Sequence, residues 1–320
     1  GTGNIRSRLE QPPVRCNPPE VGSFRMGSAW RFRRVARGAD PDRVARELTR
    51  TPGCGRGGCS QTSLVSMVSR TLLVLALLFG ASSVLLAQAP SAPGQRPALR
   101  VLVVTGGCCH DYPFQTQQLQ LAVNAVADVT WTVVNEGGKG TRAEIPLYDQ
   151  PNWARAYDVV VHNECFADTH DPAYLQKIVS GHEKGGTPAV VVHCAMHSYR
   201  ASTSDAWRAF LGVTSRRHDH QSNYTVRRVV DGHPALRGFP AEWVTPKDEL
   251  YIVEKLWPSA KALAVAKSEK DGLDHATIWV NDHQGTRVFG TTFGHGNVTW
   301  EDPVFLKLIA SGLLWASGRN

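Results

Sequence analysis

The sequence predicts an α/β domain built on a mainly parallel sheet, and three observations carry that prediction. Continuous apolar runs recur at RVLVVT (100–105), YDVVVH (157–162) and PAVVVH (188–193), the form of strands buried on both faces. Stretches with helical rather than alternating apolar spacing lie between them. Each run gives way to glycines or to polar, histidine-bearing residues, at the end of the strand where open parallel sheets place ligands.

Taken in order, Arg100–Thr105 is the first strand, stopped by Gly106-Gly107. Gln115–Asp128 follows as a helix, with Leu119, Ala122, Val123 and Val126 at helical spacing. Val129–Val134 is the second strand and Tyr157–His162 the third. Asp171-Pro172 opens a helix that runs through Gly181, since proline suits a first helical turn. Gly185-Gly186 closes that unit, and Pro188–His193 is the next buried strand. This strand–helix–strand rhythm means βαβ units. The second half is less regular. Asp205–Leu211 is a short helix and Tyr224–Val230 a weakly alternating strand. Leu263–Ala266, Ala276–Val280 and Arg287–Thr292 are further strands, some antiparallel, and Pro303–Ala316 is the closing helix, with Phe305, Leu308, Ile309 and Leu313 on one face.

Charge divides the chain into two parts. The net charge of +7 and pI near 9.1 invite a nucleic-acid partner. Residues 1–100, however, hold 15 Arg against 5 acidic residues, whereas residues 101–320 net −3 and hold all 12 histidines. Residues 1–66 are Arg-, Pro- and Gly-rich without helical or strand period, and are read as a basic leader, disordered or translated in error. No stacking or groove-reading pattern accompanies their charge, so no nucleic-acid partner is expected. Residues 67–89 read as a signal peptide: Arg70, the apolar run TLLVLALLFGASSVLL, then Ala87-Gln88-Ala89. An uncleaved anchor is the alternative. Cleavage predicts an exported, periplasmic or extracellular chain with no stable membrane span, a linker at 90–98 and one domain at 99–320. Cys108, Cys109, Cys165 and Cys194 remain in it; four cysteines allow three pairings, of which the adjacent Cys108–Cys109 bridge is the least expected.

Four strand tips deliver polar groups: Cys108-Cys109-His110-Asp111, His162-Asn163-Glu164-Cys165, His193-Cys194-Ala195-Met196-His197 and Gly294-His295. Titratable groups that converge at a sheet edge mark a site. Three chemistries fit the set. His110, His193 and His295 can ligate a divalent metal such as zinc, although no compact HExxH-like motif is present. His193 can act as an acid or base with Glu164 or Glu249. Cys194 can be a nucleophile, although a small buried residue is the stronger reading. Asn163, His197 and Tyr251 are placed as ligand contacts. His218-Asp219-His220 reads as a solvated loop that can contribute one ligand, His233 as a turn residue and Asp248 as a site residue or a helix cap. Tyr199, Trp207, Trp279 and Trp300 are core residues or stacking platforms for a sugar ring.

The segments RVLVVTGGCCHDY, YDVVVHNE, VVVHCAMHSYR, DGHPALRGFP, DELY and RVFGTTFGH…WEDPVFLKLIASGLLWASG together resemble the ThuA-like, or trehalose-utilisation, family from about Arg100 to Gly318. The resemblance implies a class I glutamine amidotransferase-like fold, a flavodoxin-like three-layer α/β sandwich. It also implies that His193 stands at the elbow where amidotransferases carry their cysteine, with Cys194 one residue late. Glutamine amidotransfer is therefore not expected. His110, His193, Glu249 and His295 fall on family motif positions, and Cys194 joins the ligand contacts. The CHDYP and HCAMHSYR segments depart from the commoner ThuA forms. The implied function is carbohydrate metabolism on a trehalose-type disaccharide or keto-sugar, through a His/Glu-lined site with a small-molecule carbohydrate as partner. The alternatives are a non-catalytic carbohydrate-binding module and a metal-dependent hydrolase of a non-sugar substrate.

Overall fold

The computed structural model describes residues 96–319; the predicted leader, signal peptide and first six linker residues lie outside the described residues. Strand β1 (Leu99–Gly107) enters helix α1 (Tyr112–Asn124), then β2 (Val129–Asn135), β3 (Val159–Cys165), α2 (Pro172–Gly185) and β4 (Ala189–Val192). The second half runs α3 (Ala206–Leu211), β5 (Val213–Ser222), β6 (Thr225–Arg228), β7 (Glu242–Val244), β8 (Asp248–Leu256), β9 (Ala260–Lys267), β10 (Asp274–His283), β11 (Thr286–Thr291), α4 (Asn297–Trp300) and α5 (Pro303–Ala316).

Nine strands form one sheet in the order β2-β1-β3-β4-β11-β10-β9-β6-β7. The five strands from β2 to β11 are mutually parallel and hold the buried runs. Strands β10, β9, β6 and β7 extend the sheet antiparallel. Helices α1 and α5 pack on one face, where Leu119, Val123, Leu308 and Leu313 meet Val101, Val103 and Val190. Helix α2 covers the other with α3, where Tyr174, Ile178 and Phe210 meet Leu102, Val160 and Val191. This is the three-layer sandwich expected from the sequence.

Local chemistry sets the helix ends. Asp302 accepts hydrogen bonds from the amides of Val304 and Phe305 and Pro303 occupies the first turn, so α5 has the predicted bounds. Asp171 caps α2 in the same way, and the helix continues past Gly181 to a left-handed Gly186 (φ 61°). Helix α1 differs from expectation. Asp111 caps it and it begins at Tyr112, ending at Asn124; Val126 lies beyond it and is 59% exposed. The sequence reading also passed over β5, β7 and β8. Strands β5 and β8 pair only with each other, as a two-stranded antiparallel sheet. Among the described residues no helix is long and apolar enough to cross a membrane.

Candidate functional site

The parallel strands deliver their tips to one edge. His193 follows β4 directly and takes a left-handed backbone (φ 50°) before a short 3-10 turn, His193–Met196. A non-glycine residue in this conformation costs about 1–2 kcal/mol. Such a strained strand-to-helix turn projects its side chain off the sheet edge. The His193 Nδ1–H donates to the Thr292 carbonyl at 2.7 Å, which turns Nε2 toward the site.

His110 comes from the loop between β1 and α1. Its Nδ1–H donates to the His295 carbonyl at 3.2 Å, and its buried Nε2 has no hydrogen-bond partner among the described residues. The His110 ring lies 4.9 Å from that of His193 and 5.0 Å from that of His295. One nitrogen from each of these three rings falls within 4.8 Å of the others. Burial is the main reason each imidazole resists protonation. It pushes His110 down to about 3, and the neighbouring histidines add to the shift. His193 and His295 are also lowered, again mainly by burial. Neutral imidazoles with free lone pairs are what a metal ion or an acid–base site requires.

Strand β8 supplies the anionic part. Glu249 Oε2 lies 3.4 Å from His295 Nδ1, 3.6 Å from His218 Nδ1 and 3.7 Å from His193 Nε2. Tyr251, two residues along the same face, stacks on His193 at 4.8 Å and on His197 at 4.3 Å. Its hydroxyl stands 3.3 Å from His193 Nε2 and is held protonated by burial first and by Glu249 next. His197 sits behind this stack, its Nε2 3.3 Å from Cys194 Sγ, and burial lowers its pKa as well.

A second set of residues holds the His295 loop in place. Asp248 is fully buried and accepts from the amides of Gly294 and His295 and from the Thr299 hydroxyl. It caps no helix of its own: it starts β8, and burial pushes its carboxyl up to about 7 against these donors. Gln115, buried on the inner face of α1, donates to the Gly294 and His295 carbonyls and accepts from Asn163. Asn163 thus reaches the site through Gln115.

Glu164 departs from the expected arrangement. Adjacent strand residues face opposite sides, so Asn163 turns toward α1 while Glu164 turns into the α2 layer. There it contacts His162 Nδ1 at 3.0 Å and accepts from the Tyr199 hydroxyl at 3.3 Å. His162 Nε2 continues to His182 Nε2 at 3.0 Å, and the His182 Nδ1–H donates to the Thr187 carbonyl. Glu164 and His162 therefore belong to a buried chain apart from the three-histidine cluster. Tyr199, Trp207, Trp279 and Trp300 are each at most 1% exposed, which makes them core residues rather than sugar platforms.

The cysteines pair as Cys108–Cys109 and Cys165–Cys194. The adjacent bridge, least expected from spacing, is formed, and Cys194 carries no free thiol in this state. Two residues at the site, Gln115 and Gln221, escaped the sequence reading, whereas His218, in a segment expected to offer one ligand, does lie beside Glu249. Gln115 carries a legible signal, a polar residue in line with Leu119 and Val123 on the inward stripe of α1. Gln221, 2.7 Å from His295 Nε2, lies with His218 on β5, a strand paired with β8 rather than a solvated loop, and nothing in that polar sequence singles out Gln221.

A doubly wound sandwich with a histidine at its strand-to-helix elbow, faced by two further histidines and a glutamate, defines a three-layer α/β protein whose titratable groups gather at one sheet edge. The ThuA family model, described as trehalose utilisation, matches residues 100–316, and the chain belongs to this family. A ThuA-like protein of Parabacteroides merdae aligns with 18% identity and a TM-score of 0.54, over 69% of this chain and 90% of that one. One from Bacteroides uniformis aligns with 15% identity and a TM-score of 0.54, over 70% and 95%. A glutamine amidotransferase from Thermotoga maritima aligns with 14% identity and a TM-score of 0.42, over 69% and 99%. No protein with a curated description gives a significant sequence match.

Proposed function

We propose that this chain is an exported enzyme of carbohydrate metabolism, acting on a trehalose-type disaccharide or a keto-sugar derivative. The convergence of His110, His193 and His295, with Glu249 against two of them, carries the enzymatic reading. The family description supports the substrate class.

We assign these three imidazoles to a divalent ion such as zinc. Three protein ligands with an open position are the usual catalytic arrangement. The donor set fits: His110 and His193 each give Nδ1–H to a backbone carbonyl, the outer contact typical of ligating histidines. The buried, unpartnered Nε2 of His110 is costly to leave bare and is satisfied by a ligand. Turning the Gln221 amide so that its oxygen accepts from His295 Nε2–H frees Nδ1 in the same way. A bound ion would polarise a hydroxyl or carbonyl oxygen of the substrate. Glu249 is the general base that takes the proton released there. Tyr251 fixes the His193 ring by stacking and offers its hydroxyl to the same space.

The test is metal content and turnover of the purified protein on a panel of disaccharides and keto-disaccharides. About one equivalent of metal is expected, lost in His193→Ala and kept in Glu249→Gln, with turnover at least about 100-fold lower in the latter. Sugar binding with neither metal nor turnover would overturn the enzymatic reading in favour of a binding module. Turnover confined to non-sugar substrates would overturn the substrate class.

A further inference from the structure

The four cysteines form a succession of sulfur contacts that starts at the surface. Cys109 is exposed, whereas Cys108, Cys165 and Cys194 are 9%, 3% and 5% exposed. Cys109 is bonded to Cys108 and Cys165 to Cys194. Between the bridges, Cys108 Sγ approaches Cys165 Sγ to 3.7 Å, close to van der Waals contact. At the inner end, Cys194 Sγ is 3.3 Å from His197 Nε2.

We propose that these cysteines form a thiol–disulfide relay, in which an external dithiol reacts at Cys109 and the resulting thiol appears at Cys194. A thiolate of the dithiol attacks the sulfur of the exposed residue Cys109, and Cys108 leaves as a thiolate. The second thiol of the dithiol resolves the mixed disulfide, giving the oxidised reductant and a Cys109 thiol. Cys108 then attacks Cys165, the sulfur it already touches. The Cys165–Cys194 bond breaks, a Cys108–Cys165 bond forms, and Cys194 leaves as a thiolate that takes up a proton beside His197. One dithiol supplies two electrons and two protons, and two bridges become one bridge and two thiols. The partner class is a small or protein dithiol. Its entry point adjoins His110 and its exit adjoins His193 in the chain, so the relay changes the thiol state next to both histidines. It stands independently of the proposed sugar chemistry.

The experiment uses the full chain treated with one equivalent of dithiothreitol, quenched in acid, alkylated with N-ethylmaleimide and mapped by peptide mass. Cys16, Cys54 and Cys59 give separate peptides. The expected product carries label on Cys109 and Cys194, with a Cys108–Cys165 cross-linked peptide predominating over the original bridges. Label on Cys108 and Cys109 with Cys165–Cys194 intact would overturn the relay, as would label on Cys165 and Cys194 with Cys108–Cys109 intact. Cys109→Ser gives a second measure without reductant. The relay places its free thiol at Cys194, at least tenfold over Cys108. A free thiol retained at Cys108 would overturn it.

Discussion

Glu164 and Glu249 are both carboxylates near strand ends, and the structure gives them different surroundings. The buried chain around Glu164 fixes its proton count. The Thr187 carbonyl can only accept, so the His182 Nδ1 carries a proton; burial keeps that ring neutral, with a pKa near 3, and leaves Nε2 an acceptor. His162 must then donate through Nε2, and one further proton lies between His162 Nδ1 and Glu164 Oε1. Glu164→Gln satisfies the same contacts without charge, because its amide donates to a neutral His162 Nδ1 and to the Tyr199 oxygen. It should cost within about 1 kcal/mol. Glu164→Ala leaves His162 Nδ1 without its partner in the core and should cost about 3–5 kcal/mol. For a domain of this size that is a fall in Tm of roughly 6–20 °C. Urea unfolding and a thermal melt measure both variants, with metal content and turnover assayed alongside. Glu164→Gln should keep both metal and turnover near the parent's, whereas Glu249→Gln should keep metal and lose turnover. A Glu164→Gln protein that melts like the parent but loses turnover 100-fold would refute this assignment and return Glu164 to the reacting groups. If Gln costs as much as Ala, the proton count is wrong.

Three further outcomes follow from particular residues. His193→Gly should unfold at higher denaturant than His193→Ala, by about 1 kcal/mol, because both lose the same ring contacts but only Gly relieves the left-handed backbone; equal stabilities would contradict the strained elbow. The folded pKa of His182 lies below its unfolded value, so its contribution is present above pH 6.5 and lost as pH falls toward 3. About 2 kcal/mol should go between pH 7.5 and 5, and an imidazole NMR signal for His182 that titrates near 6.5 would contradict this. Gly181→Ala, normally helix-stabilising, should instead destabilise by about 1–3 kcal/mol, since its Cβ would enter the Trp153 indole; a higher Tm would contradict the packing.

What the sequence made legible was set by burial. Runs such as VLVV and AVVV are apolar because helices cover both faces of β1 and β4, and the bounds of α5 were legible because Asp302 and Pro303 spell a helix start. Strand β5, VTSRRHDHQS, was not, because it pairs only with β8 and turns His218 and Gln221 toward the site, so no period of two survives. The histidine tips were found because strand ends in a parallel sheet point one way. Which of Asn163 and Glu164 faces that edge depends on which helix layer lies on each side, and no residue in the strand states that. The Cys108–Cys109 bridge was missed for a related reason: spacing argues only against strain, while the loop between β1 and α1 decides which sulfurs meet.

The elbow explains why His193, and not His197, meets both His110 and His295, although both histidines are buried and both stack on Tyr251. His193 occupies the one position where β4 ends in a left-handed residue, so its ring leaves the sheet toward the tips of β1 and β11 and meets His110 and His295. His197 follows four residues later, after the 3-10 turn, and its Nε2 is turned to Cys194. Moving the histidine by one residue, to position 194, would place an imidazole where the sulfur now bridges to β3. The double change His193→Gly with Cys194→His should therefore fold without restoring metal binding, measured by metal content after dialysis. Recovery of a full equivalent would mean that proximity to the sheet edge, rather than the backbone conformation at residue 193, positions the ligand.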